Sequence, residues 1–231
     1  MWQKISIIIP VLNEADNIKA FLQHLQPLRQ YGHELIIVDG KSQDNTCELA
    51  RPLVDRMFSS SPGRAKQQIL GARMATGQAF LFLHADSILP ENADQKILSA
   101  LSQGYFWGRF NVRLSGKSWP FRVIETMMNW RSRITGIATG DQGIFVAKVL
   151  YQDALGIPDI ELMEDIAFSK RLKKFCKPAC LSACLLTSSA RWEKNGILST
   201  ILLMWSLRLQ YFLGVSPIVL LKKYYPPNDC N

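Results

Sequence analysis

Ile5-Ser6-Ile7-Ile8-Ile9-Pro10-Val11-Leu12-Asn13-Glu14 is the stretch on which the fold turns. Ile5 to Ile9 is a short, β-branched, apolar run closed by Pro10. Apolar side chains at nearly every position, rather than at alternate ones, mark a strand covered on both faces, as in a parallel sheet flanked by helices. Ile18, Phe21, Leu22 and Leu25 follow at helical spacing. The pattern then recurs. Leu35 to Val38 reads as a second buried strand closed by Asp39-Gly40, and Leu49, Ala50, Leu53 and Val54 mark a helix after Asp44. A third unit runs through Met57-Phe58 with its helix starting near Arg64, and a fourth strand, Phe80 to Leu83, ends in His84-Ala85-Asp86. Four strands alternating with helices through short connections predict a doubly wound α/β sheet over residues 1–100.

In such sheets ligands bind outside the carboxyl ends of the strands. Topology alone therefore brings Asn13 and Glu14, Asp39, and His84 with Asp86 to one edge. The turn after the first strand carries no GxGxxG, which a close approach of pyrophosphate to the backbone requires, and the chain has no GxxxxGK[ST]. What remains at the edge is acidic. Carboxylates at strand ends accept hydrogen bonds from hydroxyls of a base or ribose and hold a hard divalent cation against a diphosphate.

The second half, residues 101–192, is less regular. Phe106, Phe110, Val112 and Leu114 alternate around Gly108 and predict an antiparallel strand, and Ile144 to Val146 predicts another, with a helix over Trp119 to Arg133 between them. Glu164-Asp165 opens a helix running through Phe168 and Leu172. Two acids in a first turn are favoured by the helix dipole, worth about 0.3–1 kcal/mol each, and local sequence leaves that capping role standing beside a chemical one.

Composition bounds the rest. A chain of 231 residues, 48% hydrophobic and 20% charged, can bury a full core, and it is neither disordered, collagen-like nor a multi-span membrane protein. The 27 Lys+Arg against 19 Asp+Glu give +8, unevenly placed: residues 1–165 hold 17 basic and 17 acidic side chains, so the whole surplus follows residue 165. A neutral body with a cationic end suits a phosphorylated substrate, an anionic membrane surface or a nucleic acid. The cations are interleaved with aliphatic runs and no nucleic-acid motif is present, which argues against the last. Five cysteines, an odd number with no CxxC pair and no signal peptide ahead of them, point to free thiols in a reducing, cytoplasmic compartment. Cys176, Cys180 and Cys184 would share one helix face, but Pro178 interrupts it and no His follows at zinc-ligand spacing.

Six strings, in order, resemble the family 2 glycosyltransferases: Pro10-Val11-Leu12-Asn13-Glu14, Asp39-Gly40-Lys41-Ser42-Gln43-Asp44-Asn45-Thr46, Gly63-Arg64-Ala65-Lys66-Gln67, His84-Ala85-Asp86, Glu164-Asp165 and Arg191-Trp192. The string Gly63 to Gln67 with His-Ala-Asp is similar to a compact bacterial subgroup associated with radical-SAM and selenoprotein gene sets. The resemblance implies a GT-A type α/β fold: a doubly wound, mostly parallel sheet, antiparallel additions in the second half, and a catalytic domain over residues 1–192. It implies inverting transfer of a sugar from a nucleoside-diphosphate sugar to an acceptor hydroxyl, assisted by a divalent metal, Mn²⁺ or Mg²⁺. Pro10, Asn13, Glu14, Asp39, Arg64, Gln67, Ala85 and Asp86 would form the nucleotide and donor side. Asp86 matches the acid of the family's DxD metal motif; His84 stands where the family usually has another acid, and would bind the metal, hydrogen-bond the diphosphate, or pack. Asp165 is the expected base and Glu164 the runner-up. Gly140, Asp141 and Gln142 would contact donor or acceptor, or form a glycine-shaped turn. Arg191 and Trp192 match the end of the QxxRW pattern, with Ser188 in place of its Gln arguing against a processive polymerase. The alternatives are a sugar nucleotidyltransferase and a noncatalytic nucleotide-sugar or membrane-binding module.

Residues 193–231 are hydrophobic and basic. From Gly196 to Leu221 the only charge is Arg208, and Gly214 and Pro217 break the run, so a spanning helix is not expected. Two readings stand. A helix with Trp205, Tyr211 and Phe212, flanked by Lys194 and Lys222-Lys223, suits an anionic membrane surface, making the protein peripheral on the inner face of the cytoplasmic membrane with a lipid-linked acceptor. Alternatively the stripe Ile201, Leu202, Trp205, Leu209 and Phe212 packs on the catalytic domain.

Overall fold

A computed structural model describes residues 2–225. Seven strands form one sheet: β1 (Ile5–Val11), β2 (Glu34–Asp39), β3 (Arg56–Ser59), β4 (Ala79–Phe82), β5 (Trp107–Leu114), β6 (Ile144–Ala147) and β7 (Ala179–Thr187), in the order β3-β2-β1-β4-β6-β5-β7. The first four are parallel, β6 runs antiparallel to both β4 and β5, and β7 is parallel to β5. This is the mixed, mostly parallel α/β sheet that the sequence predicts. The helices are α1 (Ile18–Gln30), α2 (Thr46–Ala50), α3 (Arg64–Met74), α4 (Ala93–Ser102), α5 (Trp119–Thr135), α6 (Lys148–Asp153), α7 (Glu164–Leu172), α8 (Ala190–Asn195), α9 (Ile197–Phe212) and α10 (Pro217–Tyr224).

The apolar runs do what their composition requires. Ile7, Ile8 and Ile9 of β1 and Leu35 to Val38 of β2 are buried on both faces, and Ile18, Phe21, Leu22 and Leu25 put the inner face of α1 against them. The helix α3 lies closer still: a Cβ on Gly71 would stand 2.4 Å from Ile8 Cγ2, so only glycine permits this approach of helix to sheet.

Pro10 does not end the first strand; it pairs with Val38 inside β1. The last β1–β4 pair is Ile8 with Phe82, and Leu83 N donates to Ile8 O on that side. Alternation turns Pro10 to the same side, beyond the last partner, where a missing N–H costs nothing. In β5 the buried place falls to Trp107, whose Nε1 donates to Cys176 O at 2.9 Å, while Phe106 precedes the strand and is exposed. The cysteines share no helix: Cys180 and Cys184 lie on β7, a strand not evident in the sequence, with a bulge between Leu181 and Cys184 opposite Phe110 and Asn111. Cys47, Cys176, Cys180 and Cys184 are free thiols; Cys230 lies outside the described residues.

The C-terminal helices pack on the rest of the chain, but of the expected stripe only Ile201 joins a buried cluster. Leu207 of α9 and Leu220 of α10 are buried, with Ile137, Leu162, Met163 and Ile166 beneath them, and Thr200 of α9 is buried as well. Leu202, Trp205, Leu209 and Phe212 face outward, Trp205 at 57% exposure. On α5, Phe121 and Ile124 are buried and Trp119, Val123, Met127, Trp130 and Ile134 form an exposed stripe. The two helices meet where Phe121, Ile124 and Met128 pack with Ile197 and Ile201. Among the described residues no helix is long and apolar enough to cross a membrane.

Candidate active site

A cleft of about 550 Å³ opens at the carboxyl ends of β1 and β4. Pro10 and Glu14 line it from the first strand, Gly63, Arg64 and Gln67 from the start of α3, and His84, Ala85 and Asp86 from the turn after β4. The N-terminus of α3 thus opens onto the cleft, where free backbone N–H groups and the helix dipole favour an anion. Burial, then the neighbouring carboxylates of Asp86 and Asp44, push the Glu14 carboxyl above its ordinary value.

Not every expected side chain points into the cleft. Asp39 is buried, and its carboxylate accepts from Lys41 N at 3.0 Å, Ser42 N at 3.2 Å and Ser42 Oγ at 2.5 Å. Asn13, with φ +54°, accepts from Gln43 N at 2.8 Å through its side-chain oxygen. These bonds fold the loop after β2 against the turn after β1. Gln67 borders the cleft, but its Nε2 donates to Val11 O at 2.8 Å and Val38 O at 2.7 Å, tying the ends of β1 and β2 together. Gln142 is fully buried and forms a reciprocal cap with Thr139 at the 3₁₀ turn Gly140–Gln142.

Behind the cleft a smaller recess is lined by Arg64, Gly140, Asp141, Asp165, Arg208 and Tyr224 among others. Asp165 Oδ2 accepts from Gly140 N at 2.9 Å, which fixes the carboxylate against the Gly140 turn. That turn also abuts His84. A Cβ on Gly140 would stand 2.7 Å from His84 Cε1 and Nε2, so glycine here is a packing requirement. His84 Nδ1 lies 3.9 Å from Asp141 Oδ1; burial and the Arg64 charge lower its pKa, favouring the neutral imidazole.

Glu164 behaves differently from its neighbour. Its Oε1 lies 3.3 Å from Arg64 Nε, while Oε2 is buried with no hydrogen-bond partner among the described residues. Burial pushes the Glu164 carboxyl up to about 6 despite the Arg64 cation, with Asp165 adding to the rise. Met163, immediately before the pair, is buried at φ +68°, a strained conformation for a large side chain, and it sets the direction in which α7 starts. Asp165 thereby faces the recess and Glu164 the guanidinium.

Arg191 and Trp192 part company. The Arg191 guanidinium stacks 3.7 Å from the Tyr224 ring centre and donates to Tyr224 O at 3.3 Å. It anchors the end of α10, where Tyr225 and Leu221 border the cleft. Trp192 packs away from the cleft with Leu114, Phe121 and Ile124. Leu221, Tyr224, Tyr225 and the loop Asp159 to Leu162 are the site residues that sequence reading missed. The only signal for them was the position of two tyrosines behind Lys222-Lys223.

A divalent cation fits this donor set in one way. Among the described residues no three His, Cys, Asp or Glu side chains group to hold a metal. Glu14 and Asp86 are close enough for Asp86 to raise the Glu14 pKa, and His84 lies on the same turn as Asp86. A site of one or two carboxylates, completed by phosphate oxygens of a substrate, is how Mg²⁺ and similar ions bind phosphorylated ligands.

Known proteins resemble the chain in sequence and in fold. A dolichol-phosphate mannosyltransferase of Pyrococcus furiosus is 27% identical over 128 residues, 51% of this chain and 36% of its own length. The chain spans less than half the length of the curated relatives it matches. S. aureus TarS 1-349 superposes with a TM-score of 0.67 at 18% identity, covering 80% of this chain and 60% of its own. Glucosyl-3-phosphoglycerate synthase from Mycobacterium tuberculosis, crystallised with Mn²⁺, uridine diphosphate and phosphoglyceric acid, does so with a TM-score of 0.59 at 18% identity, covering 80% and 69%. These two share the GT-A fold. Residues 6–149, more than half of the chain, match the family model Glycosyl transferase family 2, and the chain belongs to that family of glycosyltransferases.

Proposed function

We propose that the protein is an inverting glycosyltransferase that takes its sugar from a nucleoside-diphosphate sugar, with residues 1–192 as the catalytic domain. One observation carries the reading: Arg64 lines both the cleft at the sheet edge and the recess holding Asp165. A guanidinium is therefore set between the acids suited to a cation and the acid suited to a proton. Pro10, Glu14, Ala85 and the start of α3 would hold the nucleotide, with Asn13, Asp39 and Gln67 shaping the loops around it. Mn²⁺ or Mg²⁺, held by Asp86 with Glu14 and His84 beside it, would neutralise charge on the diphosphate. The acceptor oxygen attacks the anomeric carbon as the bond to the diphosphate oxygen breaks, the nucleoside diphosphate leaves with the electron pair, and Asp165 takes the acceptor's proton. Glu164 holds Arg64 in place for the diphosphate side, with Gly140 and Asp141 on the sugar side.

The acceptor is lipid-linked in this reading, met at the inner face of the cytoplasmic membrane. The outward faces of α5 and α9 support it: exposed Trp119, Trp130, Leu202, Trp205 and Phe212 with Lys222 and Lys223 nearby match the composition of an interfacial surface. The Pyrococcus relative, by name, mannosylates a lipid phosphate.

A panel of nucleoside-diphosphate sugars with Mn²⁺ tests the activity. Release of free nucleoside diphosphate is expected; release of pyrophosphate, with a sugar phosphate as co-substrate, would instead identify a nucleotidyltransferase. Flotation with anionic liposomes tests the surface. Wild type should float and a Leu202→Ser/Trp205→Ser/Leu209→Ser variant should not, since these side chains are not part of the buried contact of α9; equal flotation of the two would remove the membrane from the account.

A further inference from the structure

Two adjacent tyrosines at the end of α10 reach the two spaces of the site. Tyr225 borders the cleft and Tyr224 borders the recess that holds Asp165, the same two spaces that Arg64 lines. Three ties hold this short helix end in place. Leu220 is fully buried, Lys223 Nζ donates to Gln210 Oε1 of α9, and Arg191 of α8 donates from Nη2 to Tyr224 O at 3.3 Å. The last tie continues as a stack. The Arg191 guanidinium lies 3.7 Å from the Tyr224 ring centre, and the Tyr224 ring meets that of Tyr225 edge-on, with centres 4.7 Å apart and planes at 82°. Arg191 stands 5.3 Å from the Tyr225 ring centre and lines neither space. Tyr225 is thus held from behind and still 51% exposed at the cleft. A ring fixed before any ligand arrives has already lost the freedom that binding would otherwise cost. Arg191 also covers the carbonyl end of α10, whose partial negative charge would oppose an anionic ligand.

We propose that Tyr225 binds the donor, its phenol hydroxyl donating to a phosphate oxygen of the nucleoside diphosphate, and that Arg191 is the positioning residue that holds it there through Tyr224. This rests on the glycosyl-transfer reading above and adds a donor contact from the C-terminal helices, outside residues 1–192. The place of the tyrosine pair favours the phosphates: it borders both the cleft and the recess, as Arg64 does, so Tyr225 stands where the diphosphate meets the sugar side. A phenol donates one well-directed hydrogen bond to a phosphate oxygen, and the Arg64 guanidinium in the same cleft supplies the charge. Arg191 is not placed to do this itself, because it spends a face and an N–H on Tyr224.

Calorimetric titration of the whole chain with uridine and guanosine diphosphates in Mn²⁺ tests the contact, on whichever nucleotide wild type binds. Tyr225→Ala should weaken binding by about 10-fold or more, and Tyr225→Phe several-fold. Wild-type affinity in Tyr225→Phe would overturn the hydroxyl contact, and wild-type affinity in Tyr225→Ala would overturn the proposal entirely. Arg191→Ala should weaken the nucleotide as Tyr225→Ala does, and the double variant should be no weaker than Tyr225→Ala alone, because the arginine acts only through the tyrosines. Additive losses would overturn the positioning role and put the guanidinium on the diphosphate itself. Arg191→Lys keeps the charge but not the planar stack, and should fall with Arg191→Ala; wild-type affinity in the lysine variant would show that charge alone suffices and would overturn the stack. Should the Arg191 variants fail to fold, the two Tyr225 variants, altered at an exposed helix end, decide. Absence of nucleotide binding by wild type would refute the donor reading and this contact with it, whereas wild-type binding that Tyr225→Ala matches would refute this contact alone.

Discussion

Replacing Glu164 with Gln should stabilise the protein increasingly as pH rises. The carboxyl is buried against Arg64 with Oε2 unpartnered, and its pKa stands at about 6 rather than 4.5. A carboxyl whose folded-state pKa is raised binds more protons folded than unfolded, so its contribution to stability is present below pH 4.5 and is lost as pH rises through 6. At 1.36 kcal/mol per pH unit the full loss is about 2 kcal/mol, of which about 0.8 is already gone at pH 5. The glutamine removes the titration. Its own burial cost does not depend on pH and cancels when two pH values are compared. Urea unfolding of both proteins at pH 5 and pH 8 should therefore show the stability of the variant, relative to wild type, rising by about 1.3 kcal/mol between them. A difference that stays constant with pH would refute the reasoning, because it would mean that Glu164 is not titrating in a buried environment. The same variant should turn over more slowly at pH 8, since Arg64 loses the partner that holds it.

Asp165→Asn should leave donor affinity within about twofold of wild type and lower turnover by about 100-fold or more; undiminished turnover in a direct product assay would remove Asp165 as the base. Gly140→Ala drives a Cβ to 2.7 Å from the His84 ring and should cost about 2 kcal/mol, read as a fall of about 4–8 °C in the thermal midpoint; an unchanged midpoint would show that the ring moves freely. Arg191→Ala removes the stack on Tyr224 at 3.7 Å, and amide exchange across residues 217–224 should accelerate by about 10-fold; unchanged protection would mean that α10 is held by its buried leucine alone.

The parallel half of the fold was readable because β1, β2 and β4 are apolar at most positions and each is followed by a polar turn, so period and punctuation agree there, with the weaker β3 placed by the helix that follows it. β7 escaped because Ala179–Thr187 is an edge strand of small, half-exposed residues whose bulge breaks the alternation. The face of α9 could not be chosen from sequence because apolar residues surround it. Leu203 and Leu207 turn inward while Leu202, Trp205 and Leu209 turn out, and that choice is made by Ile137, Leu162 and Ile166. At the site, topology correctly brought Glu14, His84 and Asp86 to the cleft. It could not tell that Asp39, Gln67 and Gln142 spend their polar atoms on backbone and caps, because that depends on loop conformation.

The proposed function rests on a cation-assisted nucleoside-diphosphate site between Asp86 and the start of α3. Calorimetric titration of wild type and Asp86→Asn with uridine and guanosine diphosphates, with Mn²⁺ and with chelator, tests it most directly. One of the two should bind wild type only with metal and bind Asp86→Asn at least about 10-fold more weakly. Binding that is equal in chelator and Mn²⁺, or no binding of either nucleotide, would contradict it.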